Sequence, residues 1–235
     1  MINKVFTFFD VSDIIPKKNL NMEDYVMKIL FQGDSITDTG RNAECGSTRS
    51  IGQGYAMLID AFLSKEYPGK YEFINTGISG NRIVDIYQRI KVDFWNLKPD
   101  VYSLLIGVND VWHEFGQHNG VSAERFENVY RMLLNDTLKE LPDLKIILIE
   151  PFVLKASATT EHWNEFITEV DKRRTVVRKM ADEFNLTFVS LQDKFDKAAQ
   201  VCGADYWLAD GVHPTPAGHQ LIADEWLKAF KNIVL

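Results

Sequence analysis

Cysteine is nearly absent from this chain. Cys45 and Cys202 are the only two among 235 residues, and neither stands at metal-ligand spacing or in a disulfide framework, which leaves two free thiols in a reducing compartment as the expectation. Long apolar runs are missing too, so no membrane-spanning helix is predicted. The N-terminal patch Val5-Phe6-Thr7-Phe8-Phe9 is interrupted by Asp10 and Asp13 and lacks the basic region, long apolar stretch and small-residue cleavage site of a secretory leader. A cytoplasmic protein is expected. Basic charge is in deficit, with 26 Lys and Arg against 33 Asp and Glu and a net charge of −7. A nucleic-acid partner needs a clustered basic face, and the densest cluster here, Lys172-Arg173-Arg174, falls inside a helical pattern and is read as solvated. His213 and His219 have no thiolate or carboxylate array at ligand spacing, so no metal is expected. Gly77-x-x-Gly80 is not the three-glycine dinucleotide fingerprint, and no cofactor is implied.

What remains is ordinary globular composition, 46% hydrophobic and 25% charged, enough for a sizeable core. Residues 1–24 read as an N-terminal extension, because periodic structure begins only near Val26. From there short β-rich runs at 28–32, 71–75, 101–106, 145–150 and 186–190 alternate with helical patterns at 55–66, 83–97, 123–140, 162–184 and 217–230. The segment from Ala123 puts Phe126, Val129, Tyr130, Leu133, Leu134 and Leu138 on one face, with Ser122 as its N-cap and Leu141-Pro142 as its end. Near-continuous apolar strands alternating with amphipathic helices predict a parallel sheet covered on both sides. No linker rich in Pro, Gly or Ser divides the chain, so residues 25–235 are expected to form a single domain.

In such a sheet the loops after the strands share one edge, and the polar motifs all fall there. Gly33-Asp34-Ser35-Ile36-Thr37 follows the first strand and lifts a serine hydroxyl into the crevice beyond the strand's end. A serine needs a base to become a nucleophile. Asp210-Gly211-Val212-His213 supplies one, with a carboxylate three residues away to orient the imidazole. Acyl transfer also needs donors for a developing oxyanion. Gly80, in Asn75-Thr76-Gly77-Ile78-Ser79-Gly80-Asn81, offers an amide unobstructed by a Cβ; Asn109, in Gly107-Val108-Asn109-Asp110, offers a side-chain amide; the Ser35 amide makes a third. Trp112 directly follows the Asn109 segment and is read as a pocket wall, with Trp207 a second candidate. Trp163 and Trp226 are read as core, His162 and His219 as helix-end or surface residues. Asp34 is expected to accept backbone amides in its turn, and Asp38 and Arg41 to shape the same loop.

Taken together, Gly33-Asp34-Ser35, Gly80, Gly107-x-Asn109-Asp110 and Asp210-x-x-His213 resemble the four sequence blocks of the SGNH (GDSL) hydrolase superfamily, over the chain from about Met27 onward. The resemblance implies a flavodoxin-like three-layer sandwich with about five parallel strands. It implies Ser35 as nucleophile, Asp210 and His213 as its triad partners, and Ser35, Gly80 and Asn109 as the oxyanion hole. Within that superfamily, Gly33-Asp34-Ser35-Ile36-Thr37-Asp38, Gly77-Ile78-Ser79-Gly80-Asn81, Asn109-Asp110-Val111-Trp112 and His213-Pro214-x-x-Ala217-Gly218-His219 look most like the intracellular acetylxylan esterases. That likeness implies a small-molecule ester substrate such as an acetylated xylo-oligosaccharide, and a homo-oligomer. Ala209 stands where that subgroup is expected to carry a tryptophan. The alternatives are a GDSL-type lipase, thioesterase or acyltransferase with another acyl substrate, or a non-catalytic carbohydrate-binding module on the same scaffold.

Overall fold

The five apolar runs become parallel strands: β1 (Met27–Gly33), β2 (Tyr71–Asn75), β3 (Val101–Leu105), β4 (Lys145–Ile149) and β5 (Thr187–Val189). The structure, a computed structural model, describes residues 25–42 and 50–234; the extension expected over residues 1–24 and Cys45 lie outside them. The strands form one sheet in the order β2-β1-β3-β4-β5, all neighbours parallel. Side chains alternate across a strand, and here both faces are covered. Ile29 and Phe31 of β1 join one buried cluster, while Leu30 joins another on the opposite face.

The first face is packed by α2 (Tyr55–Glu66), α8 (Gln192–Cys202) and α10 (Pro216–Val234), through Tyr55, Ile59, Phe195, Trp226 and Phe230. Trp226 is fully buried, stacks on Phe230 at 4.8 Å, and donates from Nε1 to Ser103 Oγ at 3.0 Å. Truncating a buried ring of this kind costs about 3–5 kcal/mol. The second face is packed by α3 (Ile83–Gln88), α4 (Ile90–Asp93), α6 (Ala123–Glu140) and α7 (Trp163–Glu183), through Ile86, Phe94, Tyr130, Leu133, Val177 and Met180. The helix α6 keeps its predicted bounds, and the Ser122 side chain accepts from Arg125 N–H as its cap. Sheet and helices together make the flavodoxin-like sandwich that was expected.

Two expectations are corrected. The helical pattern over 83–97 is not one helix: it breaks at Arg89, and Trp95–Leu97 is a short 3₁₀ turn. The segment after β3, read as a loop, forms α5 (Asn109–Gln117). Three further helices lie outside the expected helical segments: the single turn α1 (Ser35–Asp38), α8, and α9 (Ala204–Trp207).

The strand order sets where a ligand can bind. The chain leaves β1 for β2 on one side and crosses to β3 on the other, so β1 and β3 flank the point where the winding reverses. Open α/β sheets bind ligands in the crevice beyond the strand ends at that point. Gly33 pairs with Leu105 there, and Ser35 and Asn109 lie just beyond.

Candidate active site

Asp34, the N-cap of α1, accepts the Ile36 N–H on Oδ1 at 2.9 Å, which turns the chain sharply at the end of β1 and leaves Ser35 half-buried at its edge. The other Asp34 oxygen is buried without a hydrogen-bond partner among the described residues. Burial pushes this carboxyl up to about 7, against the opposing effects of the Ile36 N–H and the charge on His213.

His213 reaches the same point from the far end of the chain. Ser35 Oγ lies 2.9 Å from His213 Nε2, and His213 Nδ1 lies 2.7 Å from Asp210 Oδ2. The second Asp210 oxygen accepts the main-chain N–H of Val212 at 2.9 Å and of His213 at 2.8 Å. Burial alone would raise the Asp210 carboxyl, but these bonds and the His213 ring hold it below its ordinary value. It is therefore a carboxylate that fixes the ring's Nδ1 as the proton-bearing nitrogen and leaves Nε2 to accept from serine. The loop has its own scaffold. Gly211 sits at φ +101°, a conformation that favours glycine. Its carbonyl accepts the Leu154 N–H and the Asp210 carbonyl accepts the Ala158 N–H, each at 2.9 Å.

Across the crevice, Gly80 has φ +83°, and no acceptor among the described residues takes its N–H. Asn109, at the start of α5, is buried and donates from Nδ2 to the Asn81 carbonyl at 3.2 Å, which leaves its second amide hydrogen free. The turn carrying Gly80 is tied to the serine turn: Asp38 accepts from both the N–H and the hydroxyl of Ser79, at 3.0 and 2.7 Å, and Arg41 Nε donates to the Gly77 carbonyl. The five residues Ser35, Gly80, Asn109, Asp210 and His213 thus come from the ends of β1, β2 and β3 and the segment before α10. The Ser35 hydroxyl meets the imidazole there at 2.9 Å.

Trp112 is half-buried in α5, its ring 5.7 Å from the His213 ring and 6.1 Å from that of Phe166. Trp207 lies in α9 against the core, with Tyr206 as its ring partner at 5.2 Å. His219 is a correction. It does lie in the first turn of α10, but it is buried rather than at the surface, and its Nδ1 accepts the Tyr55 N–H at 3.2 Å. Arg173 also departs from its solvated reading, since it turns inward and donates to Glu169 and the Val121 carbonyl.

Some contacts here carried no sequence signal, although their residues stood in motifs. Asp110 is buried, and both its oxygens face the Ile83 N–H, at 3.1 and 3.2 Å. Burial, with the charge of Asp34 adding to it, pushes that carboxyl up to about 8. Asn81 belonged to a motif, but nothing in its spacing marked its carbonyl as the partner of Asn109. No group of three or more His, Cys, Asp or Glu converges among the described residues to hold a metal ion. No described helix is long and apolar enough to cross a membrane.

Comparison with known proteins agrees with this geometry. The model of the GDSL-like Lipase/Acylhydrolase family matches residues 31–221. An acetylxylan esterase of Geobacillus stearothermophilus is 34% identical over 209 residues, covering 86% of this chain and 92% of that protein. The crystal structure of Axe2, an acetylxylan esterase from Geobacillus stearothermophilus, superposes with a TM-score of 0.78 at 33% identity, over 88% of this chain and 94% of that one. A protein from Parabacteroides merdae described as a GDSL-like lipase superposes with a TM-score of 0.83 at 38% identity, over 91% of this chain and 98% of its own.

Proposed function

Because the chain belongs to the GDSL-like lipase/acylhydrolase family, we propose that this carboxylic ester hydrolase removes acetyl groups from a small acetylated carbohydrate, such as an acetylated xylo-oligosaccharide, through an acyl-enzyme on Ser35. The observation that carries the proposal is the unbroken relay from Ser35 Oγ to His213 Nε2 at 2.9 Å and from His213 Nδ1 to Asp210 at 2.7 Å.

The steps rest on which atoms face each other. Ser35 Oγ attacks the ester carbonyl as its proton passes to His213 Nε2, and Asp210 stabilises the imidazolium that forms. The carbonyl oxygen becomes an oxyanion that the Gly80 N–H, the free Asn109 amide hydrogen and the Ser35 N–H stabilise. Collapse expels the sugar hydroxyl, which takes its proton from His213. The acetyl-serine is then attacked by water, with His213 accepting its proton and returning it to Ser35 Oγ as acetate leaves.

Trp112 beside His213 supports a sugar as the alcohol half, since an aromatic wall can stack on the apolar face of a pyranose. The Geobacillus relative bears the name acetylxylan esterase. Trp207 is kept as a more distant candidate for the same surface. A cytoplasmic location and a homo-oligomeric assembly are part of the proposal, the latter on the likeness to the acetylxylan esterases alone.

The test is hydrolysis of p-nitrophenyl acetate and of acetylated xylo-oligosaccharides by the wild type and by Ser35→Ala. The wild type is expected to release acetate from both and the variant from neither. Equal rates for the two proteins would end the proposal for the serine. Activity on long-chain p-nitrophenyl esters or acyl thioesters, but not on acetylated sugars, would end it for the substrate.

A further inference from the structure

Two of the three donors expected to face the oxyanion, the Gly80 N–H and the Asn109 amide, converge on Asn81, which is not itself one of them. Asn81 follows Gly80 directly, and its carbonyl accepts the Asn109 Nδ2–H at 3.2 Å. The orientation of Asn81 therefore sets where Gly80 lies and which way Asn109 points. Its side chain is held in turn by Arg89, whose Nε donates to Asn81 Oδ1 at 2.8 Å. One terminal nitrogen of the same guanidinium donates to the Thr76 carbonyl at 2.7 Å and to Asp93 at 2.8 Å.

One planar cation thus closes both ends of the turn from Thr76 to Asn81. Arg89 sits where the helical pattern breaks between α3 and α4, its side chain only 14% exposed. The guanidinium fork is rigid, so three simultaneous bonds define a position that a flexible ammonium would not. Its second terminal nitrogen is buried with no partner among the described residues. A cavity of about 420 Å³ is lined by Arg89 with Asn81, Asp85, Gln88, Val92 and Asp93.

We propose that Arg89 is a positioning residue for the oxyanion hole, acting through Asn81 on both Gly80 and Asn109. The inference rests on the proposed esterase reaction but makes its own claim. Loosening the turn spoils a geometry needed only once the oxyanion forms, so kcat suffers and ester binding does not.

The experiment compares the wild type with Arg89→Ala, Arg89→Lys and Asn81→Ala on p-nitrophenyl acetate, with folding of each followed by circular dichroism. Expected for Arg89→Ala is a fall in kcat of about 10- to 100-fold, the range that small misplacement of catalytic groups produces, with KM within about twofold. Arg89→Lys, keeping charge but not the fork, is expected to recover only part of that loss. The double variant Arg89→Ala/Asn81→Ala is expected to be no slower than the worse single variant, since both break one chain of contacts. Millimolar guanidinium, entering through the bordering cavity, is expected to restore rate to Arg89→Ala and not to Asn81→Ala.

Folded Arg89→Ala with wild-type kcat would overturn the proposal, as would full additivity of the two substitutions. If Arg89→Ala does not fold, Asn81→Ala and Arg89→Lys carry the test, and wild-type kcat in both overturns it. These outcomes are distinct from failure of the esterase reading, which appears as a wild type no faster than Ser35→Ala.

Discussion

The ring of Trp112 stands 5.7 Å from the ring of His213, tilted by 47°, so the candidate base has an aromatic wall on one side and the Ser35 hydroxyl at its Nε2. If the wall receives the sugar, its removal separates two substrates. Aromatic stacking is worth up to about 1.5 kcal/mol, or up to about tenfold in kcat/KM. Trp112→Ala is expected to lose about that factor on acetylated xylo-oligosaccharides and less than about threefold on p-nitrophenyl acetate, which lacks the sugar. Equal losses on both would assign Trp112 to support of His213 instead.

Asp210 gives a sharper test, because Asn has nearly its shape. In Asp210→Asn the Oδ1 atom can go on accepting the Val212 and His213 N–H groups, which bond there now at 2.9 and 2.8 Å. The amide that replaces Oδ2 would donate to Nδ1, placing the ring's proton on Nε2 and leaving nothing to accept from Ser35. A fall in kcat on the order of 10³- to 10⁴-fold is expected, with little change in melting temperature. A loss smaller than about tenfold would remove Asp210 from the relay.

Gly211 links the loop's backbone to its chemistry. A Cβ built there would lie 2.5 Å from the Leu154 carbonyl oxygen and 2.7 Å from Thr159 Oγ1, at a φ of +101°. Gly211→Ala combines steric overlap with a strained backbone and is expected to cost about 1–3 kcal/mol. Relief requires moving Asp210 or His213, so protein still folded at 25 °C should show reduced kcat. Denaturant unfolding beside steady-state kinetics checks both halves.

The strands and the long helices were legible because burial imposes a period on them. Residues 71–75, 55–66 and 123–140 were bounded correctly from apolar spacing. The misses share a cause in tertiary contacts. Ile83, Ile86, Ile90 and Phe94 recur as in one continuous helix, and all are buried. The break comes at Arg89, whose guanidinium bonds back to Thr76 and Asn81. In α5 the buried residues are Asn109, Asp110 and Val111, two of the three polar, and its apolar face is confined to Val111, Trp112 and Phe115, a pattern of barely more than one turn beside a glycine-containing motif. The residues of the relay were legible as motifs, Ser35 at the end of a strand and Asp210 with His213 just before the last helix. Their hydrogen-bonded supports were not: Asn81 and Asp110 stood in motifs, but the partners they hold, Asn109 and Ile83, are remote in sequence, and Arg89 bonds Asn81, Thr76 and Asp93 at once.

The same limit applied to His219, and its burial gives a prediction about acid stability. Burial, reinforced by the charge of nearby His213, holds the His219 imidazole down to about 4, while in the unfolded chain it titrates near the ordinary value of about 6.5. The folded protein therefore binds fewer protons than the unfolded chain between those values. Stability from this group is fully present above about pH 6.5, declines as pH falls, and is lost below about 4. A displacement of that size is worth on the order of 3 kcal/mol. Asp34 and Asp110 act in the opposite sense, their carboxyls being raised to about 7 and about 8, so the folded state is favoured as they take up protons. The whole-protein curve mixes the two, and a variant is needed to separate them. Asn at position 219 can offer Oδ1 near the place of Nδ1, where the Tyr55 N–H now donates at 3.2 Å, but it does not titrate. His219→Asn is expected to be less stable than the wild type at pH 7.5 and to lose less on acidification. Urea unfolding at pH 7.5, 6.5, 5.5 and 4.5 should show the gap between the two proteins narrowing steadily. Parallel curves would mean that His219 takes up its proton without resistance in the folded state, contrary to its burial.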